Sequence, residues 1–443
     1  MKKIIACLLA VMMLITVLSG CLGATPENPS AQQDAPDTNS GDNTAPVAAP
    51  EDAVYEMRVI GSQGGDERAT LLEDAAEMLR EKWPGFTMVN ESTQDYAQKI
   101  RLAFSAGEGH EILYFDDLNQ QVLMQGNHIM EISSYIQERG WIDKSTIGAV
   151  EFNNLRTPGE LYSVPFLMAP ILVYYNKDIF ADIGATDIPK TVDELEDILI
   201  KARDAGYVSM ESNGVDMYNK LWMIFNLVQN TASKAEIDDW YYNISSSDGM
   251  RDAFIQFYEL MIKWEEAGYF RDDYLGIDYD GATALFSQGN TAMIVSGDWD
   301  LPLFEMSGLN LGCFAFPPPT PTDNPYIVNA VDGAWALNAN LNATQREIVL
   351  DWIDIFFDID YVIKWYEAGF TPTVKGDYSS ADVSALKLES VAAIEPTRMG
   401  FYLDNVKPGY LDFMVTHTQR LFLREIDTAE LWENLYEEWS RAD

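Results

Sequence analysis

The chain has 443 residues, of which 47% are hydrophobic, and its 70 acidic and 29 basic side chains give a formal charge of −41. The apolar share describes a globular protein, and a charge of that sign repels nucleic acid and anionic lipid headgroups, so neither is a partner. The three cysteines, Cys7, Cys21 and Cys313, are too few for a disulfide framework or a cysteine-rich zinc site.

Lys2 and Lys3 precede an apolar stretch from Ile4 to Leu18, and the small residues Ser19 and Gly20 stand just before Cys21. A positive start, a short apolar core and a small-residue end describe an export signal. At about 15 residues the core falls short of the ~20 that a membrane-spanning helix needs. The order Leu18-Ser19-Gly20-Cys21 resembles the lipobox of bacterial lipoproteins. That resemblance implies cleavage before Cys21 and a diacylglycerol on its sulfur. The alternative is an ordinary signal peptide with an incidental cysteine. Residues 1–20 are therefore expected to be a lipoprotein signal peptide, and Cys21 a lipid anchor on the extracytoplasmic face of the cell membrane. Residues 21–53 follow as a tether. Between 25 and 52 there is no basic residue, no aromatic and one valine, too little apolar surface to offset the entropy of ordering. As a coil it reaches about 30 Å.

Periodic sequence begins at Val54, and the remainder is long enough for two lobes. "YEMRVIG" (55–61) alternates like a strand. The helical spacing of Leu71, Leu72, Ala75, Met78 and Leu79 follows, stopped by Pro84-Gly85. "FTMVN" (86–90) reads as a second strand, "YAQKIRLAFSAG" as a second helix through Ala97, Ile100 and Phe104, and "EILYFD" (111–116) as a third strand. This alternation predicts parallel strands with helices packed on the sheet. In such sheets ligands bind off the carboxyl ends of the strands. Those ends carry Gln63 beside Gly64-Gly65, then Asp95 and Tyr96, then Phe115, Asp116 and Asp117. The alternative for Gly64-Gly65 is a tight turn. Thr191 and Glu194 form a capping box for a helix carrying Leu195, Ile198, Leu199 and Ala202, which reads as scaffold.

The segment "LYSVPF…VYYNKDIF" is similar to the lobe-crossing segment of extracytoplasmic solute-binding proteins, family 1. Three further matches come in order: "ALFSQGNTAMIVSGDWDL" (284–301), "VDGAWALNANLNATQREIVLDWIDIFF" (331–357) and "GFTPTVKGD" (369–377). The resemblance covers nearly everything from residue 54 onward. It implies a type II periplasmic-binding-protein fold, two α/β lobes joined by a hinge. Crossings are expected near Phe166–Leu172, near Phe316–Pro319 and near Phe370–Thr373. Lobe one would be about 54–166 and 317–370, and lobe two about 171–315 and 371–443. Ligand would sit between the lobes and close them. The resemblance further implies a monomer that delivers its ligand to the transmembrane subunits of an ABC permease. A sensor feeding a membrane receptor would have the same fold.

A carbohydrate is the implied ligand. The apolar face of a pyranose suits aromatic rings, and its hydroxyls suit carboxylates and amides. In "SGDWD", Asp298 is expected to meet hydroxyls and Trp299 to stack, as the family's tryptophan does at this place. The alternative for Trp299 is the core. Trp335 and Tyr402 join the candidates by the same logic, whereas Trp222, flanked by Leu221, Ile224 and Phe225, reads as core. The third-strand rim departs from sugar binders that carry tryptophan there. "DDYLGIDYDG" (272–281) is rich in aspartate but fails the EF-hand pattern, because Gly276 takes the first ligand position; neither metal nor cofactor is expected. His110, His128 and His417 are isolated, with no metalloprotease pair and no nucleophile elbow. A secreted carbohydrate-active enzyme, needing only two suitably spaced carboxylates, remains the alternative to a binding protein.

Overall fold

A computed structural model describes residues 54–61, 65–93, 96–115, 120, 122–124, 126–145, 160–407 and 409–441. The signal peptide, Cys21, the tether and the candidates Gln63, Asp95, Asp116 and Asp117 lie outside the described residues. The first three strands are β1 (Tyr55–Ile60), β2 (Phe86–Asn90) and β3 (Ile112–Phe115), separated by helices Gly65–Lys82 and Tyr96–Ser105. β2 and β3 both pair parallel with β1, as the alternation of strands and helices requires. Next comes β4 (Val164–Asn176), a 13-residue strand buried along almost its whole length. β5 (Val208–Glu211), β6 (Thr291–Gly297) and β7 (Leu311–Ala315) follow. β8 (Tyr326–Leu337), β9 (Thr371–Pro372) and β10 (Arg398–Gly400) complete the set. The sheet runs β2-β1-β3-β8-β4-β6-β5, with β7 and β9 on β4 and β10 on β8.

Two long strands join the halves. The first part of β4 pairs antiparallel with β8, from Val164 opposite Trp335 to Pro170 opposite Asn329. Its second part pairs with β6, from Ile171 opposite Gly297 to Tyr175 opposite Met293. The short β9 adds a third crossing against Leu167 and Met168.

Side chains alternate across each half, as the strand period of two dictates. In the first half Met57, Val59, Ile112, Tyr114, Trp335 and Leu337 pack under the helix Ala343–Ile355. On the other face Ile60, Leu113, Phe115 and Ala336 meet Ile100 and Phe104. In the second half Ile171, Val173, Met293 and Val295 face the larger core, whereas Leu172, Tyr174, Ile294 and Cys313 face a smaller one. Val328 and Val331 belong to the larger core and Val374 to that of the first half. Among the described residues no helix is long and apolar enough to cross a membrane.

Candidate ligand-binding site

β6 leaves the sheet at Gly297 and turns immediately into a 3-10 turn, Asp298–Asp300, followed by the helix Leu301–Met306 with Pro302 in its first turn. Gly297 is required there, because any Cβ would overlap the ring of Trp299. The turn therefore folds the indole back over the end of the strand. A second aromatic pair comes from the helix Tyr218–Gln229. Tyr218 and Trp222 are four residues apart, so they share one face, and their rings stack at 5.7 Å and 14°. Trp222 meets Trp299 edge to face at 5.7 Å and 73°, the geometry favoured by the ring quadrupoles. Tyr402, from the loop after β10, reaches the hinge strand with its hydroxyl 3.4 Å from the Ala169 carbonyl.

These rings surround a cavity of about 190 Å³. Tyr218, Trp222, Trp299 and Tyr402 supply the aromatic wall, and Asp404 and Asn405 the polar one. Ala169 of β4 and Val331 of β8 line it from the two hinge strands. It lies at the junction of the halves, where ligand sites commonly form. Behind the wall, Trp299 Nε1 donates to Tyr279 Oη at 2.9 Å. Tyr279 Oη donates in turn to Asp300, which also accepts from Ser296 Oγ at 2.5 Å. Burial pushes the Asp300 carboxyl up to about 6, against the Ser296 and Tyr279 hydrogen bonds that hold it down. Burial likewise raises Tyr218 to about 12, helped by Asp216, Asp404 and Asp412.

The structure brings Trp299 and Tyr402 together and disperses the other described candidates. Asp298 is a correction. It does not line the cavity; its carboxylate is buried, accepts from the Thr371 hydroxyl and lies 3.7 Å from Lys387 Nζ. Trp335 is also corrected. It is fully buried in the first half's core, 4.7 Å from Tyr114 and 4.4 Å from Phe356. The reason is strand parity: Trp335 pairs with Tyr114 across β3 and β8 and shares its face. Phe115, one residue on, is buried on the opposite face and makes core rather than rim. Tyr96 is half-buried at the start of its helix and packs with the Ile100 and Phe104 cluster.

Trp222, read as core, is buried in the larger core, and one face of it also lines the cavity. Leu221, Ile224 and Phe225 around it are fully buried, so the flanks were legible and the one open face was not. The i, i+4 pairing of Tyr218 with Trp222 was the available signal. Asp404 and Asn405 directly follow the Tyr402 motif in "FYLDN", and the polar pair could have been taken with it. The aspartates of 272–281 are partly used by the backbone: Asp278 caps the helix Tyr279–Phe286 by accepting from Gly281 N at 2.8 Å. Among the described residues no group of three His, Cys, Asp or Glu is placed to hold a metal ion.

Two α/β halves joined by strands that run through both, with an aromatic cavity against those strands, define a type II periplasmic-binding-protein fold. The model of the family described as "Bacterial extracellular solute-binding protein" matches residues 65–360, well over half of the chain, and the chain belongs to that family. Among solved structures it is similar to a chitin oligosaccharide binding protein, with a TM-score of 0.77, 20% identity and coverage of 87% of this chain and 98% of that one. It is also similar to "SBP RafE in complex with raffinose", with a TM-score of 0.70, 17% identity and coverage of 87% and 99%. A "Probable sugar-binding periplasmic protein" of Mesorhizobium japonicum is 26% identical over 214 residues, 45% of this chain and 47% of that protein. A "Maltooligosaccharide ABC transporter solute-binding lipoprotein" of Streptococcus pneumoniae is 26% identical over 211 residues, 42% and 44% of the two chains. The matched region spans less than half the length of these curated relatives.

Proposed function

We propose that this protein captures a carbohydrate between two lobes and delivers it to an ABC permease, held outside the membrane by a lipid on Cys21. The observation that carries the reading is the cavity: four aromatic rings and a carboxylate–amide pair set against two hinge strands. Rings offer flat apolar faces to the C–H side of a pyranose, and the polar pair offers directional partners to its hydroxyls. The names of the curated and structural relatives support the same ligand class. We place one lobe at about 54–167 with 334–374 and the other at about 168–333 with 398–441. This division follows the core clusters and puts the second crossing in β8 instead of at Phe316–Pro319. Gln63, Asp95, Asp116 and Asp117 are retained as hydroxyl partners from the first lobe. The protein acts as a monomer and as a binder, not an enzyme; in support, Asp298 and Asp300 are each engaged behind the cavity wall.

A thermal-shift screen of mono- and oligosaccharides tests this. A bound sugar at 100 times its dissociation constant stabilises by about 2.7 kcal/mol, a shift of several degrees. If no carbohydrate shifts the transition while another solute class does, the ligand assignment is wrong.

A further inference from the structure

Trp299 is held by a chain of hydrogen bonds that ends on a carboxylate. An indole N–H can only donate, so the Tyr279 oxygen, 2.9 Å away, accepts from it. The Tyr279 hydrogen must then point elsewhere, either to Asp300 directly or to Ser296 Oγ, 2.6 Å away, and both routes end on the Asp300 carboxylate. Ser296 Oγ gives its own hydrogen to the same carboxylate oxygen at 2.5 Å. An ionised carboxylate accepts only, and it strengthens such bonds roughly twofold. Tyr279 itself is fixed from two sides. Its backbone N–H donates to Asp216 at 2.9 Å, and its ring meets Trp222 edge to face at 5.6 Å. Neither Tyr279 nor Asp300 lines the cavity. They stand behind both tryptophans.

We propose that Tyr279 and Asp300 are positioning residues that hold the Trp299 ring in its ligand-ready orientation, and that ligand affinity is therefore coupled to the protonation state of Asp300. The proposal rests on the reading of Trp299 as a ligand platform. When Asp300 gains a proton, the oxygen that accepts from Tyr279 and Ser296 loses its charge, the hydrogen bonds it accepts weaken, and the ring is held less firmly. The groups that face this turn are Asp280 and Tyr279 from the helix Tyr279–Phe286, Tyr174 from β4, Glu305 from the helix Leu301–Met306, and Asp298 with its partner Lys387. Burial and Asp280 both raise Asp300, to about 6, so the change falls in an accessible range of pH.

The test begins without ligand. Protein labelled with 15N-tryptophan gives one indole N–H resonance per ring, and Trp299→Phe identifies the relevant one. From pH 7.5 to 5 that resonance should move with a midpoint near 6, stay flat in Asp300→Asn, and shift at every pH in Tyr279→Phe, which lacks the acceptor. Calorimetry with raffinose, maltotriose and chitotriose should show that Tyr279→Phe binds the tightest of them about tenfold more weakly. The wild type should weaken several-fold below pH 6, and Asp300→Asn should not. A flat wild-type resonance, or a Tyr279→Phe protein with unchanged resonance and affinity, overturns the proposal. If Trp299→Ala binds normally, the platform reading fails instead, and the ligand-free titration still reports whether the chain of hydrogen bonds exists.

Discussion

Lys387 Nζ lies 3.7 Å from the Asp298 carboxylate, with side-chain exposures of 2% and 4%. The Thr371 hydroxyl stands between them, accepting from Lys387 at 3.0 Å and donating to Asp298. Lys387 also donates to the Gly369 carbonyl at 2.8 Å. The three residues come from three elements: the turn that carries Trp299, the crossing strand β9, and the helix Ala385–Ile394. The turn that carries Trp299 is thus tied by the Thr371 hydroxyl to a strand that pairs with β4. Burial pulls the Lys387 ammonium down, and Asp298 pulls it back up.

Breaking that pair should be worse than deleting it. Removing one partner of a buried ion pair leaves an uncompensated charge and costs about 3–5 kcal/mol, whereas replacing both by apolar groups is often close to neutral. Lys387→Met and Asp298→Leu should each destabilise strongly, and the double variant less than the sum. Denaturant unfolding of the four proteins decides it; additive losses would mean that the two charges do not interact.

Stability should depend on pH through Asp300. Its carboxyl rises from the ordinary 3.8 to about 6 in the folded protein, so the folded state binds the proton more tightly than the unfolded chain. Stability linked to that proton is complete below about pH 4 and is lost as pH rises through about 6. The full shift corresponds to about 3 kcal/mol, and water contact at this half-buried residue reduces it to roughly 1–2 kcal/mol. Asp300→Asn should remove this slope from unfolding curves taken between pH 4 and 7. An identical slope in the variant would place the titration elsewhere.

Trp299 and Trp335 should separate binding from packing. Trp299→Ala should weaken sugar binding by about 2 kcal/mol or more, as a buried aromatic anchor does, with a smaller loss of stability. Trp335→Ala should empty a fully buried site, destabilise by about 3–5 kcal/mol, and leave the affinity of the folded fraction unchanged. Calorimetry and unfolding free energies on the same two proteins check both halves. Trp222→Ala should lose binding like Trp299→Ala and, because the ring is buried in the larger core, lose more stability than Trp299→Ala does.

Ligand should compact the protein. With β4, β8 and β9 as the crossings, closure is a rotation about a few residues of these strands, and the radius of gyration in small-angle scattering should fall when sugar saturates the site. Unchanged scattering with proven binding would argue for a preformed, rigid site.

Anchoring is independent of all this. Cys21→Ser should abolish lipidation and release the folded domain from membranes, or leave it unprocessed. Cell fractionation reads the outcome, and a variant that remains lipidated would refute the assignment of Cys21.

Local sequence determined the elements, because strands and helices announce themselves by period. The alternation in "YEMRVIG" and the helical stripe after it became β1 and the helix Gly65–Lys82, and "GDWDL" marked a turn at the end of a strand before its partners were known. Which way a side chain faces was another matter. Position at a strand end points Phe115 to the rim and aromatic character makes Trp335 a stacking candidate, but β3 and β8 pair so that Tyr114 lies opposite Trp335 and Phe115 opposite Ala334, and that parity sends each ring into a core. Asp298 and Asp300 stand two residues apart in one turn; only the arrival of Thr371 and Lys387 on one side, and of Tyr279 on the other, gave them different work. Trp222 is buried as its apolar neighbours in sequence indicate, and it is also a wall of the cavity because Trp299 and Tyr402, 77 and 180 positions away along the chain, fold up against its face. Periodicity is a property of neighbours in the chain, whereas a binding site is a meeting of residues that only the tertiary fold makes neighbours.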